Sequence, residues 1–224
     1  MRVSAMEGHT IWAHQYDAEI NPLLALDTRV ASEFMGPVAF RRFVDVACGT
    51  GRWMRYLRER GGNVFGGDAC EAMLSVAKRK GGLRGRCVLA QATLLPFIEG
   101  FADVTICSFA AGYLPDLTVA AHELARVTRH GGRVIVSDLH PFAVTAGWTR
   151  SFRVGPSVYE IEHFEHCDEQ FRSAGKQAGL SLQKQLDVSF GEPERALFKR
   201  AGKEDLFYEV SKVPAVWIGV WQKP

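Results

Sequence analysis

F-V-D-V-A-C-G-T-G-R-W, Phe43–Trp53, decides the fold of this chain. Apart from Asp45, residues 43–47 are β-branched or apolar, and the run ends abruptly in small residues, which predicts a short buried strand. Gly49–Gly51 predicts the tight turn after it, and a helix begins at Arg52 with three apolar residues on one face at helical spacing: Trp53, Tyr56 and Leu57. A strand, a glycine turn and a helix in this order predict a nucleotide cradle, because the free N–H groups of the helix's first turn face the ligand.

The spacing of the glycines bears on which nucleotide binds. A dinucleotide fingerprint needs a third small residue, and here that position is Met54, too large for close helix–strand contact, so a nicotinamide cofactor is disfavoured. Asn63–Gly67 predicts the next strand. Asp68 stands at its end, seventeen residues after Gly51, where a carboxylate can accept hydrogen bonds from ribose hydroxyls in either cofactor class.

Four strings in order carry a family resemblance. D-V-A-C-G-T-G at 45–51 resembles the first motif of the class I S-adenosylmethionine-dependent methyltransferases, of the small-molecule, methyltransferase type 11-like kind. G-D-A-C-E-A-M-L at 67–74 is similar to that family's D-x-S-x-x-M-L, and Q-A-T-L-L-P-F at 91–97 to its G-D-A-x-x-L-P-F. The run 123–138 resembles its helix, glycine turn and fifth strand. An ordered set over the middle half of the chain is more specific than any one glycine pair.

The resemblance implies S-adenosyl-L-methionine as the cofactor and names its contacts. The acid Asp45 would face the methionine amino group, the glycines would pass under the ribose and methionine, and Tyr16 on an N-terminal helix would be a lid contact or an aromatic packed beneath the cap. Two positions depart from the pattern: Gln91 replaces the usual aspartate near adenine, and Ala47 stands where glycine is also common. The expected cofactor-binding set is Tyr16, Asp45, Ala47, Gly49, Thr50, Gly51, Asp68, Ala69, Met73, Gln91, Ala92, Thr93 and Ser108.

The expected fold is a single α/β domain over residues 1–224, a Rossmann-like, mostly parallel sheet of seven strands with an antiparallel closing strand. Residues 1–37 are expected to form a helical cap and residues 38–138 the cofactor-binding core. Residues 139–166 are expected to form an inserted lid with a β-hairpin around Gly155, since apolar and polar residues alternate there. Residues 167–224 are expected to add a helix and two alternating runs, 180–190 and 213–221, as the closing pair; the connection 191–212 is either a pocket wall or surface.

The region after Asp138 is expected to choose the methyl acceptor. Two histidines there, His140 and His166, are candidate general bases, because imidazole titrates near the working pH; a hydrogen-bonded structural role is the alternative reading. His163 is a weaker candidate, and no metal site is expected because no acid pair accompanies these histidines. S-F-A-A-G-Y at 108–113 lacks the N/D-P-P-Y/F motif of enzymes that methylate nucleic-acid bases.

Composition sets the remaining expectations. A net charge of +2 argues against a protein whose main role is to bind polyanions, so the expected partner is a small-molecule methyl acceptor and not nucleic acid. Local arginine clusters leave RNA or protein acceptors as alternatives. Five cysteines without a C-x-x-C pair, and no apolar leader or membrane-length run, favour a reduced, cytoplasmic enzyme, either a monomer or a homodimer. A nicotinamide-dependent oxidoreductase and a non-catalytic nucleotide-binding protein are the alternatives from other classes.

Overall fold

The computed structural model describes residues 1–224. The strands and helices in chain order are β1 (Arg2–Val3), α1 (Ala5–Trp12), α2 (Pro22–Ala31), β2 (Arg42–Val46), α3 (Arg52–Arg58), β3 (Asn63–Asp68), α4 (Glu71–Arg79), β4 (Cys87–Leu89), β5 (Ala102–Ser108), α5 (Leu117–Val127), β6 (Thr128–Leu139), α6 (Pro141–Thr145), β7 (Ser151–Val154), β8 (Ser157–Ile161), α7 (Asp168–Gln177), β9 (Ser181–Val188), α8 (Glu192–Arg200), α9 (Glu204–Val210) and β10 (Val216–Gln222). No helix has the length and apolar character needed to cross a membrane.

The main sheet has seven strands in the order β4-β3-β2-β5-β6-β10-β9. Its first five strands are parallel, and β10 runs antiparallel to both of its neighbours. This confirms the expected Rossmann-like sheet and its closing strands. The order reverses between β2 and β5, so the carboxyl ends of β2, β3 and β5 meet at the switch point where open α/β sheets bind ligands.

Strand β6 is longer than predicted. The sequence places a glycine turn at 130–132 and starts the strand at Arg133, but pairing begins at Thr128, opposite Ala102, and resumes at Arg133, opposite Val104. The intervening residues fit as a bulge in which Gly131 has a φ of 69°. The backbone N–H of Gly131 donates to the carbonyl of Lys223, so this segment pairs with the C-terminus instead of leaving the sheet.

The N-terminal segment joins a second, small sheet in the order β1-β8-β7. The predicted hairpin is present as β7 and β8, which pair antiparallel from Ser151 opposite Glu160 to Val154 opposite Ser157. β1 pairs parallel with β8, so the cap at residues 1–37 is not wholly helical as expected. This pairing fixes α1 beside the hairpin.

Each face of the main sheet carries its own apolar cluster, because alternate strand residues point to opposite faces. Phe43, Ile106 and Ile135 pack on one side with Trp53 of α3, while Val44 and Cys107 pack on the other. The connection after β9 forms α8 and α9, whose apolar residues Phe198 and Phe207 join the first cluster. The 191–212 connection therefore covers the sheet rather than walling the pocket.

Candidate functional site

A cavity of about 520 Å³ lies at the carboxyl ends of β2, β3 and β5. Its wall includes Asp45 from β2, Asp68 from β3, the first residues of the glycine turn, Met73 of α4 and residues 108–110 after β5, and the N-terminal segment closes it with Tyr16. Every residue expected from the resemblance to bind the cofactor lines this cavity, with one exception, Gly51.

Gly51 supports the turn from behind instead. It has a φ of 82° and precedes α3, and a Cβ built on it would lie 2.8 Å from Leu83 Cδ1. Left-handed backbone and close packing both require glycine here. The structure therefore corrects the sequence expectation: Gly51 shapes the turn and does not line the pocket.

Asp68 holds the glycine turn and the start of α4. Its Oδ2 accepts a hydrogen bond from the backbone N–H of Gly49 at 2.7 Å, and its Oδ1 accepts one from Cys70 at 2.7 Å. Burial raises the pKa of Asp68, and these two hydrogen bonds oppose the rise because they favour the charged form. Each carboxylate oxygen can accept a second bond, so Asp68 can hold the turn and a bound hydroxyl together.

Asp45 lines the cavity and lacks a full set of hydrogen-bond partners. It is 2% exposed, and its Oδ2 is buried without a hydrogen-bond partner. Burial raises the pKa of Asp45 to about 8, opposed by the Arg52 guanidinium. A buried carboxylate oxygen without a donor is costly unless a ligand supplies one, so Asp45 is suited to a cationic group.

Ala47, which follows Asp45 by two residues, has a φ of 55°. This left-handed conformation favours glycine, which accounts for the glycine that the resembled family often has at this position. Phe109, at the end of β5, also has a φ of 55° and lines the cavity. Strained backbone at two strand ends facing one cavity is typical of a functional site.

A polar network that the sequence did not reveal lies beside Ser108. The Arg52 guanidinium donates to Asp27 Oδ2 at 2.6 Å and to Ser108 Oγ at 2.7 Å, and Ser108 Oγ donates to the same Asp27 oxygen at 2.8 Å. Asp27 is fully buried on α2. In the sequence it reads as a surface acid among leucines, and only the packing of α2 against α3 brings it to Arg52. Ser108 is thus fixed in place by an ion pair.

A second set of contacts, which we call the Asp17 clasp, fastens the N-terminal segment over the glycine turn. Asp17 accepts from Thr50 Oγ1 at 2.7 Å and from Lys80 Nζ at 2.7 Å, and Lys80 also donates to the Thr50 carbonyl at 2.5 Å. The clasp holds the neighbouring Tyr16 against the cavity, edge-on to Trp12 at 4.6 Å between ring centroids. Burial raises the pKa of Tyr16 to about 12, so its phenol is neutral.

The opposite end of the cavity has small and apolar walls. Ala69, Met73, Ala92 and Thr93 line it, with Met73 2% exposed on α4. Gln91, in the position of the family's aspartate, also lines the cavity and is exposed. Small and apolar side chains of this kind at strand ends suit a purine ring.

The histidines predicted as general bases lie elsewhere. His140 Nδ1 accepts from the backbone N–H of Phe142 at 3.1 Å and caps α6, and its Nε2 lies 3.1 Å from Asp187 Oδ1 on β9. His166 Nε2 bonds the Leu114 carbonyl at 2.8 Å. His163 Nδ1 lies 3.2 Å from the Ile161 carbonyl. None of the three lines the cavity, and each has a backbone partner, so the structure supports the structural reading.

His9 on α1 is the histidine that does line the cavity, and the sequence analysis missed it. Its Nδ1 lies 2.7 Å from the Ala5 carbonyl, and its ring packs edge-on against Tyr113 at 4.9 Å. Burial lowers the pKa of His9. The sequence predicted a helical cap in this region, but it did not show which face of α1 lines the cavity. No group of three or more His, Cys, Asp or Glu side chains is placed to hold a metal ion.

Residues 44–136 match a family model described as a methyltransferase domain. The chain is 38% identical over 106 residues to the demethylmenaquinone methyltransferase of Thermus thermophilus, an alignment that covers 45% of this chain and 48% of that protein. It is 27% identical over 185 residues to Methyltransferase GfsG of Streptomyces halstedii, covering 77% and 65%. In the first alignment the chain thus spans about half the length of its curated relative.

Solved structures show the same fold. An S-adenosylmethionine dependent methyltransferase from Mesorhizobium loti superposes with a TM-score of 0.70 at 17% identity, over 90% of this chain and 100% of that one. Geranyl diphosphate C-methyltransferase from Streptomyces coelicolor A3(2) superposes with a TM-score of 0.68 at 17% identity, over 95% and 84%. At such identities the similarity speaks for architecture alone.

Proposed function

We propose, from the premise that residues 44–136 belong to the methyltransferase-domain family, that the protein transfers a methyl group from S-adenosyl-L-methionine to a small molecule. The observation that carries the proposal is the buried, unpartnered Oδ2 of Asp45 in a cavity that Asp68 also lines. A ligand with an ammonium group supplies the donor that Asp45 lacks, and its ribose hydroxyls can donate to the remaining acceptor capacity of Asp68.

The residues of the cavity fit this cofactor in chemistry and size. Asp45 would hold the amino group, Asp68 the ribose hydroxyls, and the slot between Met73 and Ala92 the adenine. The free volume of about 520 Å³ lies within the usual range of roughly 300–1,000 Å³ for ligand pockets. When bound, the cofactor supplies a methyl group that its sulfonium charge already activates.

The protein's own contribution is alignment and exclusion of water. We propose an in-line displacement by an oxygen, nitrogen or carbon nucleophile, for which orientation at about 3 Å can supply several kcal/mol. The ion pair between Asp27 and Arg52 fixes Ser108, and the Asp17 clasp closes the N-terminal segment over the glycine turn. Both devices leave the cavity walls rigid before the acceptor arrives.

A nicotinamide-dependent reaction is the weaker reading. Met54 is fully buried, and its Sδ would lie 2.6 Å from a Cβ built on Gly66, so its side chain fills the space between helix and strand that a dinucleotide motif leaves to glycine. We also favour a small molecule over RNA or protein acceptors. Residues of α1 line one side of the cavity, and the Asp17 clasp fastens the N-terminal segment over the glycine turn, which favours a ligand of limited size.

The test is methyl transfer from methyl-tritiated S-adenosylmethionine to a panel of phenols, amines and acidic carbon acids. The wild type is expected to form S-adenosylhomocysteine and a labelled product with at least one class of acceptor. Asp68→Asn should lower turnover at least tenfold, because it removes a charged acceptor from the turn, whereas Asp116→Asn, an exposed helix cap on α5, should not. Labelled product formed equally by Asp68→Asn would contradict the assigned site.

A further inference from the structure

The cavity wall has a second part that the cofactor set does not use. It comes from α1 and from the segment after β5, and it is apolar and aromatic except for one imidazole: Met6, His9, Phe109, Tyr113, Leu114 and Pro115. Large flat side chains around one nitrogen base suit a planar, largely apolar ligand with a single ionisable group.

The hydrogen bonding of His9 fixes its tautomer. The Ala5 carbonyl can only accept, so Nδ1, at 2.7 Å, carries the proton, and Nε2 is left with its lone pair. Nε2 has no hydrogen-bond partner in the protein and is not among the buried polar atoms that lack one, so it has some exposure to solvent, and His9 lines the cavity. The edge-on contact with Tyr113 holds the ring plane.

Asp45 also lines the cavity, but the proposed function assigns it to the cofactor's ammonium group, and the other polar groups of the wall are not free to act as a base. Asp68 accepts two backbone hydrogen bonds, and the guanidinium of Arg52 is bound to Asp27 and Ser108. The phenols of Tyr16 and Tyr113 are neutral, since burial raises the pKa of each. His9 is the one nitrogen base on the wall.

The surroundings of His9 lower the pKa of its imidazole and so favour the neutral form. Burial lowers the pKa of the ring as the largest effect, and of the two charged groups that act on it, Asp68 from β3 raises the pKa and Arg150 before β7 lowers it. Cys70, the residue before α4, has its thiol 3.6 Å from Thr10 Oγ1 on α1. A neutral imidazole is the form that can take a proton.

We propose that the His9 wall is the acceptor site, that it takes a planar aromatic alcohol, and that His9 Nε2 removes the hydroxyl proton during methyl transfer. This rests on the proposed function. The acceptor's O–H bond breaks, and its proton passes to Nε2. An electron pair on the acceptor oxygen forms the new bond to the methyl carbon. The bond from that carbon to sulfur breaks, and its electron pair stays on sulfur. The products are a methyl ether, a neutral thioether and an imidazolium.

The first experiment reads the ring itself, without turnover. Nitrogen-15 spectra of the wild type saturated with S-adenosylhomocysteine are recorded against pH and against added 2-naphthol. His9 is expected to show the Nδ1–H tautomer and a pKa below 6.5, and 2-naphthol should shift the Nε2 resonance. An Nε2–H tautomer, or an Nε2 resonance that 2-naphthol leaves in place, would overturn the assignment.

The second experiment compares His9→Gln with His14→Gln, a control on an exposed histidine of the same segment. Glutamine can keep a hydrogen bond but cannot take a proton, so His9→Gln should lower kcat for naphthol methylation by about 10²- to 10⁴-fold and remove the acidic limb of the pH profile. The affinity for S-adenosylmethionine should stay within threefold in both variants. Equal turnover by His9→Gln, or no naphthol methylation by a wild type that binds S-adenosylmethionine, would contradict the role of His9 and leave the proposed function standing. A wild type that does not bind S-adenosylmethionine would contradict the proposed function itself.

Discussion

Asp45 makes the binding of S-adenosylmethionine depend on pH in a way that can be calculated. The carboxyl is buried at the base of the cavity with a pKa of about 8, because desolvation outweighs the attraction of Arg52. At pH 7 such a group is mostly protonated in the free protein. A bound ammonium group requires the carboxylate, so binding at pH 7 should release most of one proton per site.

The affinity should follow the same titration. Below pH 8 each unit of acidification should weaken S-adenosylmethionine binding about tenfold, or about 1.4 kcal/mol, since the carboxyl must first lose its proton. Calorimetric titration in buffers of different ionisation enthalpy measures the released protons directly. Asp45→Asn should bind more weakly at every pH and release none.

The titration of Asp45 should also affect the free energy of unfolding, which should fall as the pH rises, whereas binding of S-adenosylmethionine should strengthen. The pKa of Asp45 is higher in the folded chain than its ordinary value of 3.8, so the folded state holds the proton more tightly. This contribution to stability is complete below about pH 4 and is lost as the pH rises through 8. Between pH 5 and 8 the loss amounts to roughly 4 kcal/mol, at about 1.4 kcal/mol per unit.

The measurement is the denaturant midpoint of wild type and Asp45→Asn at pH 5, 6, 7 and 8. The wild type should lose stability relative to the variant across this range, because asparagine does not titrate. Parallel pH dependence in the two proteins, together with binding that releases no proton, would refute the assignment of a neutral Asp45 in the free site.

Three further substitutions test single features. Ala47→Gly should leave the free energy of unfolding unchanged or raise it by up to about 1 kcal/mol, because relief of the left-handed strain offsets glycine's larger unfolded entropy; Ala47→Val, by contrast, should be clearly destabilising in a denaturant titration. Lys80→Ala should change stability by less than about 1 kcal/mol, since its pair with Asp17 is partly exposed, but should speed proteolysis at residues 13–20 and weaken S-adenosylmethionine binding several-fold by calorimetry. His140→Ala should cost about 1 kcal/mol as a lost helix cap with kcat unchanged; a large fall in kcat at unchanged stability would restore it as a catalytic residue.

The sequence predicted the parts of this fold that short-range patterns control. The strand, turn and helix around Gly49 follow from local apolar spacing and glycine placement, and the family resemblance, with which the domain match at residues 44–136 agrees, supplied the mostly parallel sheet of seven strands and its antiparallel closing strand. Asp45 and Asp68 were placed at strand ends, and the structure brings both to one cavity. Their roles toward a cofactor remain predictions.

What the sequence could not supply depends on contacts between distant segments. β1 has only two residues and pairs with β8, Ser157–Ile161, so no local periodicity in the sequence predicts it. His140 was predicted as a base because it follows a strand, but β10 and β9 extend the sheet beyond β6 and offer Asp187 as its partner. His9 faces the cavity only because β1 and the hairpin fix how α1 lies.

Calorimetric titration is the direct test of whether the cavity between Asp45 and Asp68 binds S-adenosylmethionine. Wild type and Asp116→Asn should bind S-adenosylmethionine with micromolar or tighter affinity, Asp68→Asn should bind it at least tenfold more weakly, and none of the three should bind NADH. Binding of NADH in preference to S-adenosylmethionine, or no binding of either by a folded wild type, would contradict the account.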